Sequence, residues 1–200
     1  MLGDGSDRRT RQLKVDPDSG LLQGVNYVVS PNCDARPPGI ETNLIVVHGI
    51  SMPPGEFGGP WIERLFTNTL PPEAHEYFAQ IGPLRVSSHV VLARSGEVTQ
   101  YVKFCDRAWH AGVSSYEGRA ACNDFSVGIE LEGTDTLPYE PVQYRVLAQV
   151  VGALCAAYPA FSPDRVVGHS DVAPGRKTDP GPAFDWPHAR RLIKAACPHA

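Results

Sequence analysis

The chain has 200 residues, of which 42% are hydrophobic, and this length and composition predict a single domain with a substantial core. Its formal net charge of -4, without any run of basic residues, argues against a nucleic-acid-binding surface, so we expect no nucleic-acid partner. Nineteen glycines and nineteen prolines indicate many fixed loops. Their combined share of the chain is lower than that of a typical disordered chain.

Residues 1–23 are polar, and we predict that they form a flexible lead-in to a domain that spans residues 24–200. They lack the apolar segment of a secretory signal, and the chain has no long apolar stretch, so we expect a cytoplasmic protein without a membrane span. The five cysteines are widely spaced and form no C-x-x-C pair. We therefore expect them to be reduced and structural.

The next part of the chain predicts one buried strand, one helix and one hairpin. The run NLIVVHGIS, residues 43–51, is apolar and rich in β-branched residues, which is typical of a strand buried on both faces. After a loop rich in proline and glycine, WIERLFTNTL (residues 61–70) has the composition of a short helix. Residues 87–102 contain two strand-like halves around Ser95-Gly96, which indicates a hairpin with a two-residue turn.

The segment FSVGIELEG, residues 125–133, alternates between apolar and polar residues as a strand does. A strand directs these two sets to opposite faces of its sheet. The apolar set is Phe125, Val127, Ile129 and Leu131, and the other set is Ser126, Gly128, Glu130 and Glu132. The second face is either open to solvent, where glutamates are ordinary, or covered, where burying them costs desolvation free energy.

The last third of the chain predicts two helices and one strand. Residues 141–158 begin with proline, repeat apolar residues at helical spacing and are followed by Pro159. RVVGH, residues 165–169, indicates a short strand, and Asp185 is placed to cap a final helix that begins WPHARRLIKAA. Because helices and strands intermix, we predict an α/β domain with a central mixed β-sheet flanked by helices.

Two histidines, His48 and His169, stand at the ends of two apolar runs. Zinc ions that take part in catalysis are held by three protein ligands, commonly imidazole and carboxylate, and keep one position for water. One aspartate would complete such a set, and the candidates are Asp171, Asp179 and Asp185. Position in the sequence does not choose between these three aspartates.

Glu130 and Lys177 are candidates for the remaining chemistry of a metal-dependent hydrolase. In a covered cleft, the Glu130 carboxylate would act as a general base toward a water molecule bound to the metal. Lys177 lies two residues before Asp179 and would stabilise negative charge that develops on a substrate oxygen. Outside such a cleft both residues would be ordinary solvated side chains.

Four longer segments carry a resemblance to a known family. They are VVHGISMPPGEFGGPWIERLF, SSHVVLARSGEVTQYVKF, RAWHAGVSSYEGRAACNDFSVGIELEGTDT and VVGHSDVAPGRKTDPGPAFDW. Together they closely resemble the bacterial anhydro-N-acetylmuramoyl-L-alanine amidases of cell-wall recycling, the AmpD type. Those enzymes belong to a zinc-dependent amidase superfamily that also contains T7-type phage lysozymes and peptidoglycan recognition proteins. The resemblance extends from about Gly24 to about Ala196 and implies the single-domain fold of that superfamily.

The resemblance also implies a role for particular residues. It implies one zinc ion held by His48, His169 and Asp179, with Asp171 outside the ligand set. It implies Glu130 as the catalytic acid and base, and Lys177 as its partner. The residues that it places near the substrate are Arg85, Trp109, His110 and Arg176. The family commonly has asparagine after the first zinc histidine, where this chain has Gly49, so a substrate contact of that asparagine would be missing here.

The function that the resemblance implies is hydrolysis of the amide bond between the lactyl group of N-acetylmuramic acid and L-alanine. Because no export signal is present, we expect soluble anhydromuropeptide fragments as substrate and a monomeric enzyme in the cytoplasm. Two alternatives are a non-catalytic peptidoglycan-binding module and a zinc peptidase that acts on ordinary peptides. A binding module of this superfamily would typically lack a zinc ligand or a catalytic residue. A zinc peptidase commonly carries an H-E-x-x-H motif, which this sequence does not contain.

Overall fold

The computed structural model describes residues 12–197 of the chain. The strands are β1 (Val15–Asp16), β2 (Leu21–Leu22), β3 (Asn26–Tyr27), β4 (Cys33–Ala35), β5 (Leu44–Ile50), β6 (Val90–Leu92), β7 (Val98–Gln100), β8 (Asp106–Ala108), β9 (Ser115–Tyr116), β10 (Arg119–Ala120), β11 (Ser126–Glu132) and β12 (Val166–Gly168). The α-helices are α1 (Trp61–Phe66), α2 (Glu76–Ile81), α3 (Pro141–Ala157), α4 (His169–Val172) and α5 (Trp186–Ala196). Short 3₁₀ turns cover Pro72–Ala74, Cys122–Asp124 and Pro163–Arg165.

Six strands form the central sheet in the order β12-β5-β11-β6-β7-β3. The strands β12, β5, β11 and β6 are parallel to one another. Strand β7 is antiparallel to β6, and β3 is parallel to β7. The predicted α/β fold with a central mixed sheet flanked by helices is therefore confirmed. Because β12, β5 and β11 run in the same direction, their carboxyl ends meet at one edge of the sheet, where open α/β sheets bind ligands.

Both faces of the sheet are covered. One face packs against α3 and α5, and its core includes Ile45, Val47 and Ile129 of the sheet with Leu147 of α3. The opposite face has two smaller apolar clusters, one around α1 and α2 and one around the start of β5. On this second face of β11, Ser126 and Glu132 are buried. Of the two alternatives that the sequence left open, the face is therefore the covered one and not the solvent-exposed one.

Helices α3 and α5 begin and end close to the predicted residues because local signals define them. At the start of α3, the Glu140 N–H donates to the Gln143 side chain at 2.9 Å, which satisfies a backbone group that the helix leaves free. The Asp185 carboxylate accepts from the His188 N–H at 2.9 Å, as predicted for a cap of the final helix.

Two predicted elements of the first half differ in length from the structure. Helix α1 ends at Phe66 rather than at residue 70, because Asn68 adopts a left-handed backbone conformation with φ of 60°. The Asn32 side chain holds this end by donating to the Phe66 carbonyl and the Asn68 side chain. The predicted hairpin is present as β6 and β7, but its turn is Arg94-Ser95-Gly96, in which Gly96 has φ of 87°.

The predicted strand over residues 165–169 is shorter in the structure and ends at Gly168. His169 is instead the first residue of the short helix α4. The Asp171 carboxylate accepts from the Gly168 N–H at 2.7 Å, which favours the change from strand to helix at this point.

Residues 12–23 are not the flexible lead-in that the sequence predicts for residues 1–23. Residues 1–11 lie outside the described part of the chain. Strands β1 and β2 form a hairpin, and Val15 and Leu22 are buried in the main core. The Gln100 side chain fixes this hairpin, because it accepts from the Leu22 N–H at 2.7 Å and donates to the Gly20 carbonyl at 2.9 Å. None of the helices between residues 12 and 197 has the length and apolar character required to cross a membrane.

Candidate active site

A cavity of about 430 Å³ opens at the edge of the sheet where the parallel strands end. His48 reaches it from β5, Glu130 from β11, and His169 from the first turn of α4 directly after β12. Asp179 and Lys177 reach it from the loop between α4 and α5. Five predicted site residues therefore face one cavity. Three neighbouring strands end there and bring His48, Glu130 and His169 together, and the loop after α4 adds Lys177 and Asp179.

Three side chains in this cavity offer donor atoms to a single point. Nδ1 of His48 lies 2.9 Å from Nδ1 of His169. The Asp179 Oδ2 atom lies 3.3 Å from Nδ1 of His48 and 3.1 Å from Nδ1 of His169. Both imidazoles are buried, and the Asp179 side chain is 17% exposed. The two nitrogens and one oxygen form a small triangle that could hold a metal ion.

The triangle fits a tetrahedral zinc ion. Zinc binds imidazole nitrogen and carboxylate oxygen at about 2.0–2.1 Å, which places neighbouring ligands of a tetrahedral site about 3.3 Å apart. The three distances between donor atoms are close to this value. Two imidazoles and one carboxylate are also the kind of ligand set that catalytic zinc sites use, with a fourth position left for water.

The structure separates Asp179 from the other two aspartates that the sequence offered as third ligand. Asp171 faces the Gly168 N–H at the start of α4, and Asp185 faces the His188 N–H at the start of α5. Of the three, Asp179 alone has its carboxylate beside both histidines. A backbone hydrogen bond of 3.0 Å from the Ser170 N–H to the Asp179 carbonyl ties its loop to α4.

Glu130 is a half-buried carboxylic acid at the wall of the cavity. Its Oε2 atom is buried and has no hydrogen-bond partner among residues 12–197. Burial raises the pKa of Glu130 well above its usual value, and the nearby charge of Asp179 adds to this effect. Lys177 acts in the opposite direction, because its ammonium charge favours the ionised carboxylate. A buried carboxyl group with a raised pKa beside a cation is the kind of group that transfers protons in active sites.

The pKa values of His48 and Asp179 are both lowered, which leaves the imidazole neutral and the carboxylate ionised. Burial lowers the pKa of His48 to about 4, so its imidazole is neutral at physiological pH, as a metal ligand must be. Burial alone would raise the pKa of Asp179, but its contacts with His169 and His48 outweigh this and keep that pKa below its usual range. The site therefore offers two imidazole nitrogens and one anionic oxygen.

The residues expected near the substrate divide into two groups. Trp109 and His110 line the cavity, and the Nδ1 atom of His110 lies 2.9 Å from Nε2 of His48. Arg176 donates to the carbonyls of Ala111 and Val113, and Arg85 donates to carbonyls of its own loop, including that of Gly82. Neither arginine is among the described residues that line the cavity, so contact of either with a substrate stays a prediction.

Gly49 lies at the cavity wall beside Tyr139. A Cβ atom at residue 49 would overlap the Tyr139 hydroxyl, which donates to the Pro180 carbonyl at 2.9 Å. The hydroxyl thus holds the residue that follows Asp179. In the structure Gly49 therefore leaves room for a contact that supports the Asp179 loop, in addition to removing a side chain from the cavity.

Sequence reasoning missed polar residues that pack around the histidines, among them His89 and the partly buried Asn123. His89 is fully buried, accepts from the Gly128 N–H at 3.0 Å, and lies next to His110 with ring centroids 5.8 Å apart. The Asn123 side chain accepts from the backbone N–H groups of His110 and Ala111. The only sequence signal for this layer was the polar set of the β11 strand, which includes Ser126 and Gly128.

The fold and the cavity are those of an amidase that could use a metal ion, and comparison with known proteins gives the family. The chain belongs to the N-acetylmuramoyl-L-alanine amidase family, whose model matches residues 38–182. It is 59% identical over 177 residues to the 1,6-anhydro-N-acetylmuramyl-L-alanine amidase AmpD of Salmonella typhimurium (strain SL1344), a match that covers 88% of this chain and 94% of that protein.

Solved structures agree with this family assignment. The crystal structure of a selenomethionine AmpD derivative superimposes with a TM-score of 0.86 at 57% identity and covers 90% of this chain and 98% of that chain. The amidase AmiD from E. coli, in complex with anhydro-N-acetylmuramic acid-L-Ala-D-γ-Glu-L-Lys, gives a TM-score of 0.56 at 26% identity, covering 78% of this chain and 60% of that chain. The predicted resemblance is confirmed, and the chain is an amidase enzyme.

Proposed function

We propose that this protein is a zinc-dependent hydrolase of cell-wall fragments. It cleaves the amide bond between the lactyl group of 1,6-anhydro-N-acetylmuramic acid and L-alanine. The activity is supported by the family and by the close relatives, which are named for this reaction. The substrate is supported by the AmiD complex, whose bound ligand contains the same bond.

His48, His169 and Asp179 would hold the zinc ion, because they are the three described residues whose donor atoms converge in the cavity. When bound there, zinc supplies a Lewis acid that acidifies a water molecule and polarises the amide carbonyl. The protein determines where this chemistry occurs, since the two histidine ligands are buried, one on β5 and one in the first turn of α4 directly after β12.

Glu130 transfers the proton in this reaction. Its carboxylate accepts a proton from the water that attacks the lactyl carbonyl carbon, and it returns that proton to the L-alanine nitrogen as the C–N bond breaks. The remaining O–H of the water becomes part of the new carboxyl group, so the products are a lactyl carboxylic acid and a free peptide amine. The raised pKa of Glu130 suits both steps, because the group must gain and lose a proton.

Lys177 stabilises the negative charge that develops on the carbonyl oxygen during the attack. It lines the same cavity as Glu130 and carries a positive charge on a flexible stem. Trp109 offers an apolar surface at the cavity wall to the sugar or the peptide. Arg85 and Arg176, which lie outside the wall, would hold carboxylates of the stem peptide beyond the cavity.

We place this enzyme in the cytoplasm, where it would act as a monomer on soluble anhydromuropeptides that come from the recycling of the wall. The support for this substrate is the name of the close relative, a 1,6-anhydro-N-acetylmuramyl-L-alanine amidase.

The convergence of His48, His169 and Asp179 is the observation on which this proposal depends. To test it, zinc-loaded and chelator-treated protein are each incubated with an anhydromuramoyl tripeptide, with intact sacculi, and with the same tripeptide lacking the sugar. Mass spectrometry identifies the products. We expect the zinc-loaded protein to release the intact tripeptide from the anhydromuramoyl substrate, and the chelator-treated protein to be inactive.

Each other outcome has a definite meaning. Hydrolysis of the sugar-free tripeptide would identify a peptidase and contradict the proposal. Faster release from sacculi than from the soluble fragment would contradict the recycling substrate. Binding of the fragment without any cleavage by the zinc-loaded protein would indicate the binding-only module.

A further inference from the structure

We propose that Ser126 and His110 hold His48 in the single tautomer that leaves its Nδ1 atom free to bind the metal ion. The inference rests on the metal site of the proposed function and adds two positioning residues to it. A continuous series of hydrogen bonds from Cys122 to His48 supports it. In each bond, the choice of donor and acceptor follows from the preceding bond.

The series begins at a backbone carbonyl, which can only accept a hydrogen bond. The Ser126 hydroxyl donates to the carbonyl oxygen of Cys122, so its proton is engaged there. Nε2 of His110 lies 3.2 Å from the Ser126 oxygen, which can now only accept from this ring. A neutral His110 therefore carries its proton on Nε2 and leaves its Nδ1 atom bare.

The next bond transmits this choice to the metal ligand. Nδ1 of His110 lies 2.9 Å from Nε2 of His48. Because Nδ1 of His110 has no proton and can only accept, Nε2 of His48 must carry the proton and donate it. Nδ1 of His48 is then left with a lone pair that points to His169 and Asp179. The opposite tautomer would place a proton at the position of the metal ion and an unpaired lone pair beside His110.

The second imidazole is oriented from the same segment of chain. Nε2 of His169 lies 3.2 Å from the carbonyl of Ala111, the residue after His110, and can only donate to it. The Asn123 side chain holds this segment by accepting from the N–H groups of residues 110 and 111, the latter at 2.7 Å. Residues 110 and 111 thus orient both histidine ligands, one through a side chain and one through the backbone.

The sheet is shaped to receive the His110 ring. The ring lies against Gly128 of β11, and a Cβ atom at that residue would be only 2.7 Å from Nδ1 of His110 and closer still to its Cγ. Any side chain at residue 128 would displace the ring from His48. The absence of a side chain at Gly128 is therefore a requirement of this contact.

The test measures zinc affinity by competition with a chromophoric chelator at constant pH, and the His48 tautomer by the ¹⁵N chemical shifts of the apoprotein. His110→Phe keeps a flat ring but cannot accept the bond, and we expect zinc binding to weaken by about 10- to 100-fold. Ser126→Ala should weaken it in the same direction by a smaller factor. His110→Gln, whose amide oxygen can accept from His48, should recover most of the affinity.

Ser88→Ala is the matched control, because Ser88 is also a fully buried serine whose hydroxyl donates to a carbonyl, that of Val90, and it takes no part in the hydrogen bonds from Ser126 to His48. We expect it to leave zinc affinity and the His48 shifts unchanged. Urea unfolding of each apoprotein shows whether a variant binds zinc weakly because it is unfolded or because its His48 tautomer has changed. If His110→Phe does not fold, Ser126→Ala provides the test.

Two results would overturn the inference: wild-type zinc affinity in folded His110→Phe or Ser126→Ala protein, or a wild-type apoprotein whose His48 carries its proton on Nδ1. Failure of the wild-type protein itself to bind zinc would instead contradict the proposed function. The two failures are therefore distinguishable.

Discussion

Glu130 and His48 are register partners on the adjacent parallel strands β11 and β5, and both side chains line the same cavity. Partners in a parallel sheet emerge on the same face, so the sheet itself fixes the separation of the proposed proton carrier and the first metal ligand. A site built on core strands in this way is more rigid than one built on loops. Asp179 and Lys177 are the exceptions, since both come from a loop.

Glu130→Gln should abolish most of the amidase activity while leaving the metal site intact. An amide cannot accept and return the proton, so we expect kcat to fall by about 10²–10⁴-fold, with zinc content unchanged. Steady-state kinetics and metal analysis measure both quantities. Glu73→Gln, at an exposed residue of a 3₁₀ turn, is the control and should match the wild type. Near wild-type kcat in the Glu130→Gln variant would rule out this role.

Lys177→Ala should lower kcat more than it changes KM, because the ammonium group acts on charge that exists mainly in the transition state. Loss of one such donor typically lowers the rate by about 10²–10³-fold. Lys194→Ala on the exposed side of α5 is a matched control and should have no effect. A large rise in KM at constant kcat would show instead that Lys177 binds the ground state of the substrate.

Replacing the three aspartates one at a time should identify the third metal ligand. We expect Asp179→Ala to lose zinc at concentrations that saturate the wild type, since it removes the carboxylate that lies beside both histidines. Asp171→Ala and Asp185→Ala should keep zinc and lower the free energy of unfolding by about 1 kcal/mol each, because each removes a helix cap. Zinc titration and urea unfolding distinguish these results, and zinc loss in either cap variant would contradict the assignment.

Tyr139→Phe should lower both the stability of the protein and its affinity for zinc. The change leaves the buried Pro180 carbonyl without its hydrogen bond, at a cost of about 1–3 kcal/mol, and loosens the loop that carries Asp179. Tyr144→Phe is the comparison, because the Tyr144 hydroxyl accepts from the Asp185 N–H, away from the metal ligands. Tyr144→Phe should lower stability alone; equal zinc affinities for the two variants would show that Tyr139 does not support the site.

Metal-free protein should lose stability as the pH falls below neutral. Burial and the charge of Arg36 lower the pKa of His89 to about 3, whereas a histidine in the unfolded chain titrates near 6.5. The unfolded state therefore binds the proton first, so the stability present above about pH 6.5 is lost progressively down to the folded pKa. For His89 alone this loss is about 2 kcal/mol at pH 5.

Urea unfolding of chelator-treated protein at about pH 7.5 and pH 5 measures this loss. His89→Gln can still accept from the Gly128 N–H but does not titrate, so its stability should change less between the two pH values than that of the wild type. An identical pH dependence in the two proteins would mean that folding does not lower the pKa of His89, and would contradict the prediction.

The sequence by itself determined the elements with strong local signals and the chemistry that they carry. Proline at the start of α3, the Asp185 cap and the alternation of β11 act within a few residues, so their effect on the backbone is readable without a fold. The two histidines at the ends of apolar runs, together with the family resemblance, predicted a zinc-dependent amidase and the residues proposed for its site.

The sequence did not determine how those residues meet, because that depends on the order of strands in the sheet. His48 and His169 are 121 residues apart and come together since β12 pairs with β5, a pairing that no local pattern encodes. The same tertiary packing buries the second face of β11 and draws the β1–β2 hairpin into the core. It also places His110, expected beside the substrate, against His48. Local periodicity reports the direction of a side chain from its own backbone, whereas burial and hydrogen-bond partners are properties of the assembled chain.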